Sequence, residues 1–166
     1  LAKLFSNSFS ALTAEVGLES PEGNSDKLKE SETALVQELF DRSSIREIIG
    51  LYFFAIDRRE WDALSSCFTP DACWESSSLN VVRTGIKAII DKMQDVGRFS
   101  ATSHMASSQS IKISGDTATA DTFALVHLVF GPLDHGRIFV RGLRYLDELV
   151  RTEEGWRIRH RRHIAI

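Results

Sequence analysis

Residues 45–57, IREIIGLYFFAID, decide how the chain folds. Ile45, Ile48, Ile49, Tyr52, Phe53 and Ile56 recur with the three- and four-residue spacing that one face of an amphipathic helix buries. Asp57 follows Phe53 by one helical turn and stands at the edge of that apolar stripe. A carboxylate aimed at a core is costly unless something pairs with it or uses it. Two outcomes are open: a surface ion pair with Arg58 or Arg59, or a partner from elsewhere in the chain. The first distant candidate is His104, in the small and neutral stretch ATSHMASS. A buried aspartate beside a histidine is a general-base arrangement.

The surroundings of this helix limit the class of protein. The chain has 166 residues, 43% hydrophobic and 26% charged, which suits one globular domain with a full core and a tail. Its uncharged apolar runs fall well short of the ~20 residues that a bilayer span needs, so no membrane association is expected. A formal net charge of −3 argues against a nucleic-acid partner, and the basic RIRHRRH near the C-terminus changes that only locally. Cys67 and Cys73 form neither a disulfide framework nor a metal-binding pattern, which points to small buried side chains and a cytoplasmic location.

In chain order, residues 1–16 lack the basic and long apolar regions of a signal peptide. Residues 17–30 are rich in turn formers and charge, so residues 1–30 read as an extension or loose arm and 31–166 as the domain. A short helix over 32–41 offers Leu35, Val36, Leu39 and Phe40 to a core. Ser44 with Glu47 forms a capping box that starts the main helix afresh. A short helix from Trp61 ends at Thr69-Pro70, a strand covers 72–76, and a loop covers 77–80. A helix over 84–96 carries Ile86, Ile89, Ile90 and Met93, with Gly97 as its cap. Beyond residue 101 the period changes. Segments 107–114, 117–130, 137–151 and 155–166 are β-branched and aromatic with short turns between them, an antiparallel meander. Helices followed by a curved sheet give an α+β domain with a conical cavity between the layers.

The segments YFFAIDRREWDALSSCFTPDACW, SHM, GDTATADTFALVH and GLRYLDELVRTEEGWRIRHR resemble the SnoaL-like family of the nuclear-transport-factor-2-like superfamily, over residues 31–166. Within it the chain looks closest to scytalone dehydratase, bile acid 7-alpha-dehydratase and hexachlorocyclohexane dehydrochlorinase. The resemblance implies a cone-shaped α+β barrel, its curved mixed or antiparallel sheet wrapped around three to four N-terminal helices. It implies no cofactor and no metal. Asp57 takes the place of the dyad carboxylate and His104 that of the family histidine in a Thr-x-His element. Tyr52 and Arg161 match a cavity tyrosine and a pocket-facing arginine. His127 lies near a position that is His in one of these enzymes and acidic in another. Trp74 replaces the tyrosine that scytalone dehydratase uses. Phe53, Trp74, Met93, Phe123, His127 and Tyr145 are then the residues expected to bind a small hydrophobic molecule.

The function implied is a cofactor-independent lyase or isomerase, dehydratase-like, acting on a small cyclic substrate of polyketide or steroid type. A non-catalytic carrier, or a scaffolding unit like the small subunit of ring-hydroxylating dioxygenases, remains open on the same fold. A homodimer or homotrimer is expected, because the outer sheet face needs cover. No nucleotide loop, nucleophile elbow or metal spacing is present. His160 and His163, three apart on a strand, fall on opposite faces.

Overall fold

The computed structural model describes residues 21–132 and 135–166, with only the backbone for 21–24. Most of the extension, residues 1–20, lies outside the described residues, as do Leu133 and Asp134. The described residues divide into two units, one ending at Phe40 and one spanning 41–166.

Helix α1 spans Pro21–Arg58 without a break. This corrects two expectations. Residues 21–30 are helical, not loose, because DKLKESE is built from good helix formers and Lys29 pairs with Asp26 one turn away. No new helix starts at Ser44. The Ser43 hydroxyl bonds the Glu47 side chain along the helix, and no glycine or proline lies between Gly23 and Gly50 to break it there. In the first unit, Leu35, Val36, Leu39 and Phe40 are exposed, not buried.

In the second unit α1 presents the stripe read from the sequence: Ile45, Ile49, Tyr52, Phe53 and Ile56 are all buried. Burial of such a side chain contributes about 1.5–3 kcal/mol. Then follow α2 (Trp61–Ser65), β1 (Phe68–Ser76), β2 (Val81–Thr84), α3 (Ile86–Met93) and a 3₁₀ turn over Gln94–Arg98. Strand β2 occupies residues that the sequence reading left between a loop and a helix. Gly85, with φ +82°, makes the corner between β2 and α3, and its N–H donates to the Ala72 carbonyl. Gly97 caps nothing, since α3 ends at Met93 and tightens into the 3₁₀ turn. The meander is as expected: β3 (Ala101–Ser114), β4 (Thr117–Phe130), β5 (Arg137–Thr152) and β6 (Gly155–Ala165). Strand β3 starts earlier than the 107 expected, which places His104 inside it.

The six strands form one curved, mixed sheet in the order β2-β1-β6-β5-β4-β3. Only β1 and β6 run parallel; every other neighbour is antiparallel. Strands β2 and β3 are its two edges, so the barrel is open. Besides a slip on the β1/β6 pair between Phe68 and Cys73, two irregularities set the facing of side chains near the site. On β3 the register slips between Ala106 and Gln109, and on the β5/β6 pair it slips beside Leu149, with an extra residue on β6. Each extra residue reverses the in–out alternation of its strand and bends it.

Two ion pairs hold the layers. Asp41 accepts from Arg151 through both carboxylate oxygens, 2.6 Å each, and from the Trp156 indole at 3.1 Å. Arg161 and Asp147, both fully buried, make a two-bond pair at 2.6 and 2.7 Å. The Arg161 guanidinium also lies 4.0 Å from the centre of the Tyr52 ring and 4.9 Å from that of Tyr145. Removing one partner of such a pair strands a buried charge and costs about 3–5 kcal/mol. Asp147→Ala should therefore unfold at clearly lower denaturant than wild type. The exposed pair of Arg144 with Asp121 is screened by water and contributes little, so Asp121→Ala should shift the urea midpoint little.

Candidate active site

Asp57 lies at the last turn of α1, and the chain reverses just after it through Arg59 in the left-handed region, φ +59°. Arg59 does not engage the carboxylate. Its guanidinium donates to the backbone carbonyls of Asp57, Val96 and Phe99 and so pins the helix end to the loop before β3. Arg58 lies against the Phe54 ring. The carboxylate is thereby left to β3. Its Oδ1 accepts from the Thr102 hydroxyl at 2.7 Å and meets His104 Nδ1 at 2.7 Å, and its Oδ2 accepts from the His104 backbone N–H at 2.7 Å. Burial pushes the Asp57 carboxyl up, but the bonds from His104 and Thr102 and the His104 charge outweigh it and hold the carboxyl below its usual range.

The imidazole is held from two sides. Its ring stacks on Phe53, with centroids 5.7 Å apart and planes 10° from parallel. With Nδ1 committed to the carboxylate, Nε2 is the nitrogen left for the cavity that His104 lines. That cavity, of about 120 Å³, is bounded by Tyr52, Ile56, Trp74, Met93, Leu143 and Tyr145, with Lys92, Asp95, Arg98 and Arg141 among its charged walls.

Of the residues expected from the sequence, Asp57, His104, Tyr52, Phe53, Trp74, Met93 and Tyr145 come together. The Tyr52 hydroxyl donates to Met93 Sδ at 3.4 Å, a weak acceptor, and burial raises its pKa, so it stays a neutral donor. Three expectations are corrected. Phe123 and His127 alternate on β4 with the buried Thr122, Ala124 and Val126, so they face the other side of the sheet, away from the cavity. Arg161 points inward but stays beneath Tyr52 and Tyr145, bound to Asp147, and is not in the cavity wall. It can act only through the rings it supports.

His163 was missed as a site residue. It lines the cavity, touches Ser76 Oγ through Nδ1 at 3.3 Å, and packs between the rings of Trp74 and Tyr145. Its only sequence signal was its place opposite His160 on a strand, and His160 does turn outward, to Glu75 and Glu148. Among the described residues no three His, Cys, Asp or Glu side chains gather as a metal site, and no helix is long and apolar enough to cross a membrane.

Comparison with known proteins identifies the family. The profile of the SnoaL-like domain matches residues 37–162. The chain belongs to the SnoaL-like family. Uncharacterized proteins of Mycobacterium tuberculosis and Mycobacterium bovis are 35% identical over 124 residues, which is 74% of this chain and 84% of theirs. A hexachlorocyclohexane dehydrochlorinase from Novosphingobium barchaimii superposes with a TM-score of 0.67 at 16% identity, covering 78% of this chain and 89% of that one. A proposed scytalone dehydratase from Novosphingobium aromaticivorans gives 0.70 at 20%, covering 82% and 88%. At such identities the likeness to these two is one of fold.

Burial, then the charges of Arg141, Arg161 and His104, lower the His163 pKa to about 4. An unfolded imidazole titrates near 6.5, so between these values the unfolded chain binds a proton that the folded chain refuses. This contribution is therefore complete above about pH 6.5 and is lost as pH falls towards 4. Melting temperatures across that window should fall less steeply with acid in His163→Gln than in wild type.

Proposed function

We propose that this SnoaL-like protein is a cofactor-independent lyase or isomerase whose reaction begins with removal of a proton from a small, largely apolar cyclic substrate. The observation that carries the reading is the Asp57–His104 contact, with Nε2 left for a cavity whose inner walls are largely aromatic and aliphatic and which also carries charged residues. The carboxylate fixes the tautomer, so that Nε2 holds the lone pair, and it stabilises the imidazolium once the proton has moved. Three bonds to one carboxylate orient the base before substrate arrives, so little reorganisation is left for the chemical step. The Tyr52 hydroxyl can exchange its thioether partner for a developing oxyanion or a departing hydroxyl, and Arg161 beneath the ring favours that charge.

The substrate class follows from the walls. An apolar cavity of ~150 Å³ accepts benzene, so one of about 120 Å³ seats about one ring, with larger substituents in the open mouth. Phe53, Trp74, Met93 and Tyr145 supply the apolar contacts. The free thiols Cys67 and Cys73 fit a reducing cytoplasm. A homodimer or homotrimer would cover the outer face, where Met105, Leu125, Ile138 and Val140 are exposed beside His127 and Phe123.

Cyclic alcohols, halides and enones, offered without added metal or cofactor, should include a compound that is turned over. His104→Ala should lower that rate by ~10²–10⁴-fold, and Asp57→Asn should also lower it. Unchanged turnover in His104→Ala would sink the reading. The same variant should let the Asp57 carboxyl titrate higher by carbon-detected NMR, because the imidazole that holds it down by both a hydrogen bond and a charge is gone. Leu125→Asp should shift the protein towards monomer in light scattering if the outer face is the subunit contact.

A further inference from the structure

We propose that Arg141 is the anchor for a carboxylate on the substrate, which makes the ligand class small ring acids; this rests on the proton-abstraction reading above for its catalytic meaning, though not for binding. The strand register supplies the geometry. His104 on β3 pairs with Val126 on β4, and Val126 pairs with Arg141 on β5. The three lie on one line across the sheet. Val126 is buried on the inner face, so His104 and Arg141 rise from that face on either side of it, and both line the cavity. Two strand spacings separate them, ~10 Å between backbones. The space between an imidazole and a guanidinium so placed suits a ring with one planar anionic substituent.

The charges in the cavity wall are unequal in what they have to do. Lys92 is paired with Asp95, and Arg98 lies over the Phe99 ring at 4.8 Å. Arg161, just below, is taken by Asp147. Arg141 alone among these cations has no hydrogen bond, ion pair or aromatic face among the described residues. A half-buried guanidinium offers a planar fork of N–H donors that matches the two oxygens of a carboxylate. Its positive charge also disfavours a cationic ligand.

A second observation points to an oxygen-bearing ligand independently. Trp74 lines the same cavity and is only 3% exposed, yet its indole N–H has no acceptor among the described residues. A buried donor left unpaired is an expense that a bound oxygen would remove. A hydroxyl or carbonyl elsewhere on the ring acid would meet this donor, while the carboxylate meets Arg141. Both unused groups are donors, so the cavity is short of acceptors, which is the complement of an acid.

The test uses the intact chain and two matched probe pairs: benzoate against benzamide, and cyclohexanecarboxylate against cyclohexanecarboxamide, titrated by calorimetry. Each acid should bind about ten- to a hundred-fold tighter than its amide, since a charge-assisted pair replaces a neutral one. Arg141→Gln should erase that preference and Arg141→Lys should keep part of it. Arg144→Gln, on the outer face, should leave it intact. Because Arg141 holds no partner among the described residues, its removal should leave the melting temperature nearly unchanged, and this separates lost binding from lost folding. Trp74→Phe should weaken oxygenated ring acids such as 3-hydroxybenzoate more than benzoate. Equal affinity for acid and amide in the wild type, or a preference that survives Arg141→Gln, would overturn the assignment. His104→Ala should keep the preference. If acids bind in this way and no ring acid is ever converted, the catalytic reading fails while the carboxylate site stands.

Discussion

The buried pair of Arg161 with Asp147 is the constraint on which the inner face of the domain depends. A guanidinium with no exposure is tolerable only because a carboxylate engages it by two bonds and aromatic rings cover it. That arrangement fixes three aromatic side chains at once. Tyr52 on the helix, Phe68 on β1 and Tyr145 on β5 are all placed by one cation from β6. Tyr52 and Tyr145 also meet Phe53, on which His104 stacks. The position of the base is therefore set through a chain of rings that begins at a charge in the core. Burial and pairing act on Arg161 in opposite directions, and Asp147 prevails, so the residue keeps its charge.

The dyad has a different origin. Its carboxylate comes from a helix end and its imidazole from the beginning of an edge strand, and no backbone ladder joins the two elements at that point. The link is made by side-chain chemistry: the backbone N–H of His104 and the hydroxyl of Thr102 hold the carboxylate that in turn holds the ring. The backbone bond is insensitive to the ring's protonation state. Asp57 therefore stays aligned whether His104 is neutral or charged, which is what a base that must accept and release a proton requires.

Much of this was legible in the sequence, for physical reasons that differ by residue. The stripe from Ile45 to Ile56 is periodic, and burial follows period. Asp57 and His104 stood out because each is polar in an otherwise apolar or neutral setting, the signature of a group with a specific partner. The meander was readable because turn residues punctuate it. What failed was whatever depends on counting along a strand or on context beyond it. His127 and Phe123 were expected at the cavity from the family resemblance, yet β4 carries apolar residues on both faces, so its apolar run does not tell the inner positions from the outer. Helix α1 ran through an apparent restart because serine is tolerated inside a helix, so a capping pattern alone does not end the preceding one. Arg161 and His163 sit in a run of basic residues where composition cannot separate core from surface.

The two register slips give the site an arithmetic of its own. On β3, His104 is even-numbered and Ile111 and Ile113 are odd, yet all three serve the inner side; on β6, Trp156 and Ile158 are even and Arg161 and His163 are odd. In each strand the core half and the site half are out of phase, and a single surplus residue reconciles them. The chain can therefore be divided at these points into a part whose spacing is fixed by packing and a part whose spacing is fixed by chemistry. Loss of one residue from 107–108 would leave every hydrophobic position of the domain in place by composition, yet would offer the cavity Ser103 and Met105 in place of His104. A change of length by an odd number in these strands would turn one half of each to the other face, whereas an even one would keep both halves in phase.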